Sequence, residues 1–279
     1  MSYKIIVDSC GELTEEMKAS GHFETASLQI EVAGQRIVDD ETFDQAEFLK
    51  LVAASPECPK SSCPSPERYM EGYRCEEERV YAVTLSAELS GSYNSAVLGR
   101  DLYREEYGEK DIYVFNSRSA SVGETLIAMK IQECEEKGMS FREVIDTVEA
   151  YIQEQDTYFV LETLDILRKN GRLTGVKAVV ATVLNIKPVM GATDAGTICQ
   201  LGQARGIKKA LVKLVDEVIK KLENSKEKVL AISHCNCRER AEYVRDMLKE
   251  RAQFKDVVIL DTAGISSMYA ADGGVIVVV

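Results

Sequence analysis

Hydroxyl groups crowd two short stretches of this chain. In Pro59-Lys60-Ser61-Ser62-Cys63-Pro64-Ser65-Pro66, three serines stand among three prolines. Prolines lower the entropy cost of holding a loop in one shape, so these hydroxyls can be preorganised. In Leu85-Ser86-Ala87-Glu88-Leu89-Ser90-Gly91-Ser92-Tyr93-Asn94-Ser95, further serines follow an apolar run and open a helical pattern. Hydroxyls and the free N–H groups of a helix start both donate to an anion such as a carboxylate, and Gly91 lets the backbone approach a ligand closely. Asp8-Ser9-Cys10-Gly11 adds a third hydroxyl turn. Each stretch also has a plain structural reading, with Ser65 as a helix N-cap before Pro66 and Ser9 as a local cap. Together, three strand ends carrying hydroxyls point to a shared polar pocket, because ligands gather at the carboxyl ends of parallel strands.

Other chemistry is thinly supplied. Only two histidines occur, His22 and His234. A serine hydrolase needs a histidine base and often a Gly-x-Ser-x-Gly elbow, which Ser90-Gly91-Ser92 does not provide. An esterase or acyl hydrolase acting through Ser90 is the alternative reading. There is neither a Walker loop nor a dinucleotide glycine fingerprint. His234-Cys235-Asn236-Cys237 is the one metal-like cluster, but a structural zinc site takes four ligands at paired spacings, so a strand-to-helix turn is expected there and no metal. The net charge is −12, from 34 Lys and Arg against 46 Asp and Glu. That balance repels phosphate backbones and argues against nucleic acid. No segment is apolar over the ~20 residues a membrane helix needs, and the start does not read as a signal peptide. A cytoplasmic protein with reduced thiols and no stable membrane insertion is expected.

Short apolar runs alternate with helical patterns, so the fold class is α/β. Strands are expected at 5–7, 27–32, 36–39, 80–85, 112–115 and 158–161. Residues 14–20, 43–54, 89–103, 124–136 and 140–154 read as helices, with Gly138 as a C-cap. The proline-bearing segment 55–66 reads as a loop. Residues 187–191 and 197–201 form a hairpin, residues 207–222 a helix with one apolar face, and 229–232, 239–249, 257–260 and 275–279 a strand, a helix and two strands. A composition shift divides an N-terminal parallel-sheet α/β/α domain, residues 1–155, from a C-terminal α/β domain with a mixed sheet, residues 156–279.

Four motifs resemble those of the DegV family of bacterial fatty-acid-binding proteins, which includes the binding subunit of fatty acid kinase. Val7-Asp8-Ser9-Cys10-Gly11-Glu12-Leu13 is similar to the family's opening T-D-S-T-A-D-L. Residues 59–65 resemble P-K-T-S-Q-P-S, and residues 89–96, L-S-G-S-Y-N-S-A, resemble L-S-G-T-Y-Q-S-A. Residues 163–173 with Asn185-Ile186-Lys187-Pro188 resemble T-L-E-Y-L-K-K-G-G-R-I and N-I-K-P. The resemblance spans nearly the whole chain. It implies a non-catalytic protein without a cofactor that binds a long-chain fatty acid in a buried tunnel between two domains. It further implies that the carboxylate is presented to a fatty acid kinase catalytic subunit for phosphorylation. In the family the carboxylate is held by the first hydroxyl of the proline-flanked loop and by the Ser-Gly pair, which here are Ser61, Ser90 and Gly91. Ser92 stands for the motif's threonine, and Ser9 is expected to line the same cleft. Arg172 and Arg205 occupy typically basic positions and are assigned to head-group or kinase contact. Many members end with H-x-G-P-G. Tyr269-Ala270-Ala271-Asp272-Gly273 stands there, so a phenol replaces a charge-switching imidazole.

Overall fold

A computed structural model describes residues 2–173 and 185–279. Strands β1 (Tyr3–Asp8), β2 (Phe23–Ala26), β6 (Arg79–Thr84) and β7 (Asp111–Asn116) form a parallel sheet in the order β2-β1-β6-β7. Every residue of β6 is buried, as a parallel strand covered on both faces requires. Tyr69 and Tyr73 of α3 (Pro66–Tyr73) and Ala96 of α4 (Ser92–Tyr107) pack on one face. On the other, α5 (Val122–Glu136) and α6 (Phe141–Glu154) place Ile127, Ile131, Val144 and Val148 against Ile5, Tyr81 and Phe115.

The C-terminal half holds six strands in the order β10-β9-β8-β13-β11-β12. They are β8 (Thr157–Val160), β9 (Ile186–Ala192), β10 (Ile198–Arg205), β11 (Val229–His234), β12 (Asp256–Asp261) and β13 (Val275–Val278). Only β11 and β12 pair in parallel, so the sheet is mixed. The expected fold class is the one observed. Side chains alternate between faces along a strand. Tyr158, Val160, Val275 and Val277 therefore share one face, buried against Leu211, Leu214 and Val218 of α8 (Ile207–Lys221) and Val244 and Leu248 of α9 (Arg238–Arg251). Thr157, Phe159 and Ile276 lie on the other face and look toward the N-terminal half.

The sequence reading held neither β2 nor the helix at Gly264–Ala270, and two further elements depart from it. Residues 60–62, expected as loop, form β5 (Lys60–Ser62) and pair antiparallel with β3 (Gln29–Val32), which also pairs with β4 (Gln35–Val38). Pro59 and Pro64 flank β5 rather than interrupt it, so no ladder donor is lost. Helix α4 begins at Ser92, not residue 89, because the N–H groups of Leu89 and Ser90 are taken up by the Ser86 carbonyl in a turn.

The halves meet through apolar and polar contacts. Val122 and Leu126 pack with Ala231 and Val278. Ser119 bonds Thr157 between hydroxyls at 2.6 Å, Ser121 bonds Ser233 at 2.6 Å, and the Ser86 hydroxyl donates to the Gly196 carbonyl at 2.8 Å.

Candidate functional site

A cavity lies between the two halves. Its empty space amounts to about 760 Å³, part of it open to solvent. Phe159, Leu161, Ile198 and Ile276 line it from the mixed sheet, and Leu85, Leu89 and Ala120 from the strand ends of the parallel sheet. The lining is mainly apolar because α8 and α9 cover only the mixed sheet's other face, leaving Phe159 and Ile276 to pack with Leu167 and Ala270. Cys10 also faces it, and burial, with the nearby Glu124 and Asp8 carboxyls, pushes that thiol well up, so the sulfur stays neutral. Arg118, Ser119 and Thr157 lie toward the start of β8. Leu161, Leu167 and Arg172 lie toward its end and beyond.

At that second end four segments converge. Tyr269, from α10 (Gly264–Ala270), lines the cavity, and its phenol lies 2.9 Å from the Ser61 hydroxyl on β5. Asn170 ends α7 (Asp165–Lys169), and its side-chain amide donates to the Pro59 carbonyl at 3.0 Å. Arg172 donates from Nε to the Leu89 carbonyl at 3.1 Å and from Nη1 to the Asn170 carbonyl. Cys63 lies 3.7 Å from the Ser95 hydroxyl. A Cβ on Gly91 would come within 3.2 Å of the Cys63 sulfur, so a larger residue there would press on the Ser61 strand. Gly91 itself has an ordinary φ of −74°. Ser61, Tyr269, Arg172 and the Leu89-Ser90-Gly91 turn thus make a polar mouth on an apolar cavity.

Residues far along the chain fix Tyr269. The Asp39 carboxylate accepts from the N–H groups of Gly264 at 2.7 Å and Ile265 at 2.8 Å, capping α10 from the N-terminal half. Burial pushes Asp39 up to about 6, against those two bonds. The Gln45 amide donates to the Thr262 carbonyl and to the Thr262 and Ser267 hydroxyls. A Cβ at Gly264 would stand 2.5 Å from Asp39 Oδ1, so glycine is required for the cap to close.

The expected site residues divide. Ser61, Tyr269 and Arg172 meet at the mouth, with Ser90 and Gly91 in the adjoining turn. The Ser90 hydroxyl accepts from the Ser92 N–H at 3.2 Å. Ser92 is fully buried; its hydroxyl donates to Asp8 Oδ2 at 2.6 Å and lies 2.7 Å from the Tyr69 phenol. Ser9 accepts from the Leu28 N–H at 3.0 Å. Of the expected residues, Tyr269 and Arg172 are among the described residues that line the cavity, and Ser61, Ser90, Gly91, Ser92, Ser9 and Arg205 are not. Arg205 ends β10 with its side chain exposed. Among the described residues no histidine bonds Ser90: His22 stacks on Tyr3 at the opposite end of β1, and His234 accepts from the Cys237 N–H at 3.4 Å. The Cys237 thiol donates to the Gly274 carbonyl, and burial pushes it up to about 12.

Sequence reasoning missed the apolar wall and a group of buried acids. Phe159, Leu161 and Ile276 are signalled only as strand residues, apolar on both faces. Asp8, Glu12 and Glu124 are all buried behind the cavity. Glu12 accepts from Ser121 at 2.8 Å and from the Ala263 N–H at 3.3 Å, joining the two halves, and burial pushes it up to about 7. Asp8, Cys10 and Glu124 bring ligand-type atoms within 4.8 Å of one another. Asp8 already accepts from three donors and the Cys10 thiol is held protonated, an arrangement suited to a shared proton rather than a cation.

Fold and site define an α/β protein of two main sheets and a small third one, with an apolar cavity between its halves that ends in a polar mouth. The chain belongs to the DegV family: the family described as "Uncharacterised protein, DegV family" matches residues 2–279. It is similar to a DegV family protein of Ruminococcus gnavus solved with vaccenic acid. That protein shares 63% sequence identity at a TM-score of 0.98, with all of both chains covered. The fatty acid kinase B3 protein of Streptococcus pneumoniae, loaded with linoleic acid, shares 32% identity at a TM-score of 0.88. There 100% of this chain and 99% of that one are covered. A DegV domain-containing protein of the same species is 33% identical over 280 residues, 99% of this chain and 98% of that protein.

Proposed function

We propose that this protein binds one long-chain fatty acid in the cavity and presents its carboxylate to a fatty acid kinase catalytic subunit. The observation that carries the reading is the Ser61–Tyr269 hydroxyl pair at one end of an apolar cavity. In the bound state both hydroxyls turn to donate to the carboxylate, joined by the Ser90 hydroxyl and the Gly91 N–H, while Arg172 supplies positive charge beside them. The tail supplies the affinity: burying about 15 methylenes at about 0.8 kcal/mol each gives on the order of 12 kcal/mol before binding costs. The head-group donors offset carboxylate desolvation and fix orientation. The fatty-acid-loaded relatives from Ruminococcus gnavus and Streptococcus pneumoniae support the ligand class, and the latter's description as a fatty acid kinase B3 protein supports the partner.

In this reading residues 1–155 and 156–279 are two domains that close on the acyl chain in a tunnel. The protein acts in the cytoplasm without a cofactor and catalyses nothing itself, and exposed Arg205 meets the kinase. Among the described residues no helix is long and apolar enough to cross a membrane, as a carrier that takes up lipid singly requires. The test is titration of delipidated protein with a fluorescent fatty acid. The Ser61→Ala plus Ser90→Ala variant is expected to bind more weakly by about 1–3 kcal/mol through lost head-group bonds. Unchanged affinity would remove both residues from the site.

A further inference from the structure

We propose that Asp8 and Glu124 share one proton, and that the pair is the positioning device for the turn carrying Leu89, Ser90 and Gly91. Asp8 ends β1 beneath that turn. Its Oδ2 accepts from the Leu85 N–H at 3.0 Å and from the Ser92 hydroxyl at 2.6 Å. Those donors are the two ends of the segment, so one carboxylate staples both. Its Oδ1 accepts from the Cys10 N–H at 3.1 Å. Between the staples, the Ala87 N–H donates to the Asn116 side chain and the Leu89 and Ser90 N–H groups to the Ser86 carbonyl. The turn is thereby tied to the ends of β1, β6 and β7 together.

Asp8 is fully buried. The groups acting on it are the Ser92 hydroxyl, the Leu85 and Cys10 N–H groups and the Glu124 carboxyl, with no cation among them. Glu124, in the first turn of α5, is equally buried, and neither of its oxygens has a partner if the group is an anion. Two like charges buried this close cannot both persist. Gly11 allows the approach: a Cβ there would lie 2.8 Å from the Glu124 Cβ. A proton on Glu124 resolves both difficulties. Its O–H donates to Asp8, ending the orphaned state, and the one remaining negative charge sits on Asp8 where the donors converge. Burial, the Asp8 charge and the bond to Asp8, in that order, push Glu124 well above the usual carboxyl range. The other titratable groups facing the pair are acids: the Cys10 thiol, Glu12, Asp39 and the Tyr69 phenol. None offers a base that takes the proton away.

The device rests on the fatty-acid reading only for what the turn recognises, so its test uses the ligand-free protein. Glu124→Gln keeps a donor to Asp8 and cannot ionise. The sign follows from linkage. Above pH 4.5 the unfolded chain gives up the Glu124 proton and the native state keeps it, so native stability falls as pH rises. Above pH 5 the unfolding constant of the wild type divided by that of the Glu124→Gln variant is expected to rise with pH, by up to about tenfold per pH unit, until the native carboxyl ionises. The effects of Glu12 and Asp39, present in both proteins, cancel. A flat ratio would overturn the shared proton, as would a stoichiometric metal in elemental analysis of the purified wild type.

Positioning is read by amide hydrogen exchange over residues 85–92. Asp8→Ala is expected to speed exchange there about tenfold relative to β7, whereas Glu124→Gln leaves it unchanged. If Asp8→Ala does not fold, Ser92→Ala removes one staple and is expected to act in the same direction. Unchanged exchange in the folded variant would overturn the positioning role. Fatty-acid binding by the wild type is measured separately, so its absence would sink the binding reading and leave these outcomes intact.

Discussion

Tyr269 is central to the proposed head-group site. Its phenol bonds the Ser61 hydroxyl across two segments 208 residues apart, and the motif resemblance sets it against the histidine of H-x-G-P-G. A phenol donates without carrying positive charge. Tyr269→His is therefore expected to add a pH dependence, with fatty-acid affinity rising as pH falls through about 6.5 and the ring becomes cationic. Titration at pH 5.5 and 8 checks this, and equal affinity at both would place residue 269 away from the carboxylate. Ser61, Ser90, Gly91 and Tyr269 were picked out by motifs whose spacing is local, and the structure brings Ser61 and Tyr269 within hydrogen-bond distance. Ser9 and Ser92 looked the same in sequence but are spent elsewhere. Their partners, Leu28 and Asp8, lie 19 and 84 residues away, and no local pattern reveals such a bond.

At the scale of elements, the mouth depends on short pieces that propensity describes poorly. α10 has seven residues and β5 three, too short for hydrophobic periodicity to register. What holds α10 is the Asp39 carboxylate on its first N–H groups, a tertiary cap from another part of the chain. Gly264→Ala forces a Cβ against that carboxylate and is expected to cost about 1–3 kcal/mol of stability. Fatty-acid affinity should fall with it, as α10 shifts Tyr269 from Ser61. Denaturant unfolding of the variant at pH 7 reads the first effect, and wild-type stability there would show that the cap tolerates the methyl group. The long elements were easier. Helix α8 presents Leu211, Leu214, Val215 and Val218 to the core at the spacing its sequence announces. β1, β6 and β7 appear within a residue or two of where their apolar runs lie.

Over the whole molecule, the α/β class was readable from alternation, but the small antiparallel sheet of β3, β4 and β5 and the cavity were not. The cavity's walls come from strand ends in one half and from a sheet face with two short helices, α7 and α10, in the other. No single segment announces that Phe159 and Leu85 look into the same space. Buried acids also shape this seam: Asp8, Glu12, Asp39 and Glu124 lie at or behind the cavity with pKa values raised by burial, and Lys255 pairs with Glu133 across the halves at 3.7 Å. The central claim is that the space between the halves exists for an acyl chain. Mass spectrometry of a denaturing solvent extract of the purified protein tests it most directly, with saturable binding measured on the delipidated chain. The expected result is a long-chain fatty acid at about one per protein molecule. No acyl chain in the extract, together with no saturable fatty-acid binding, would contradict it.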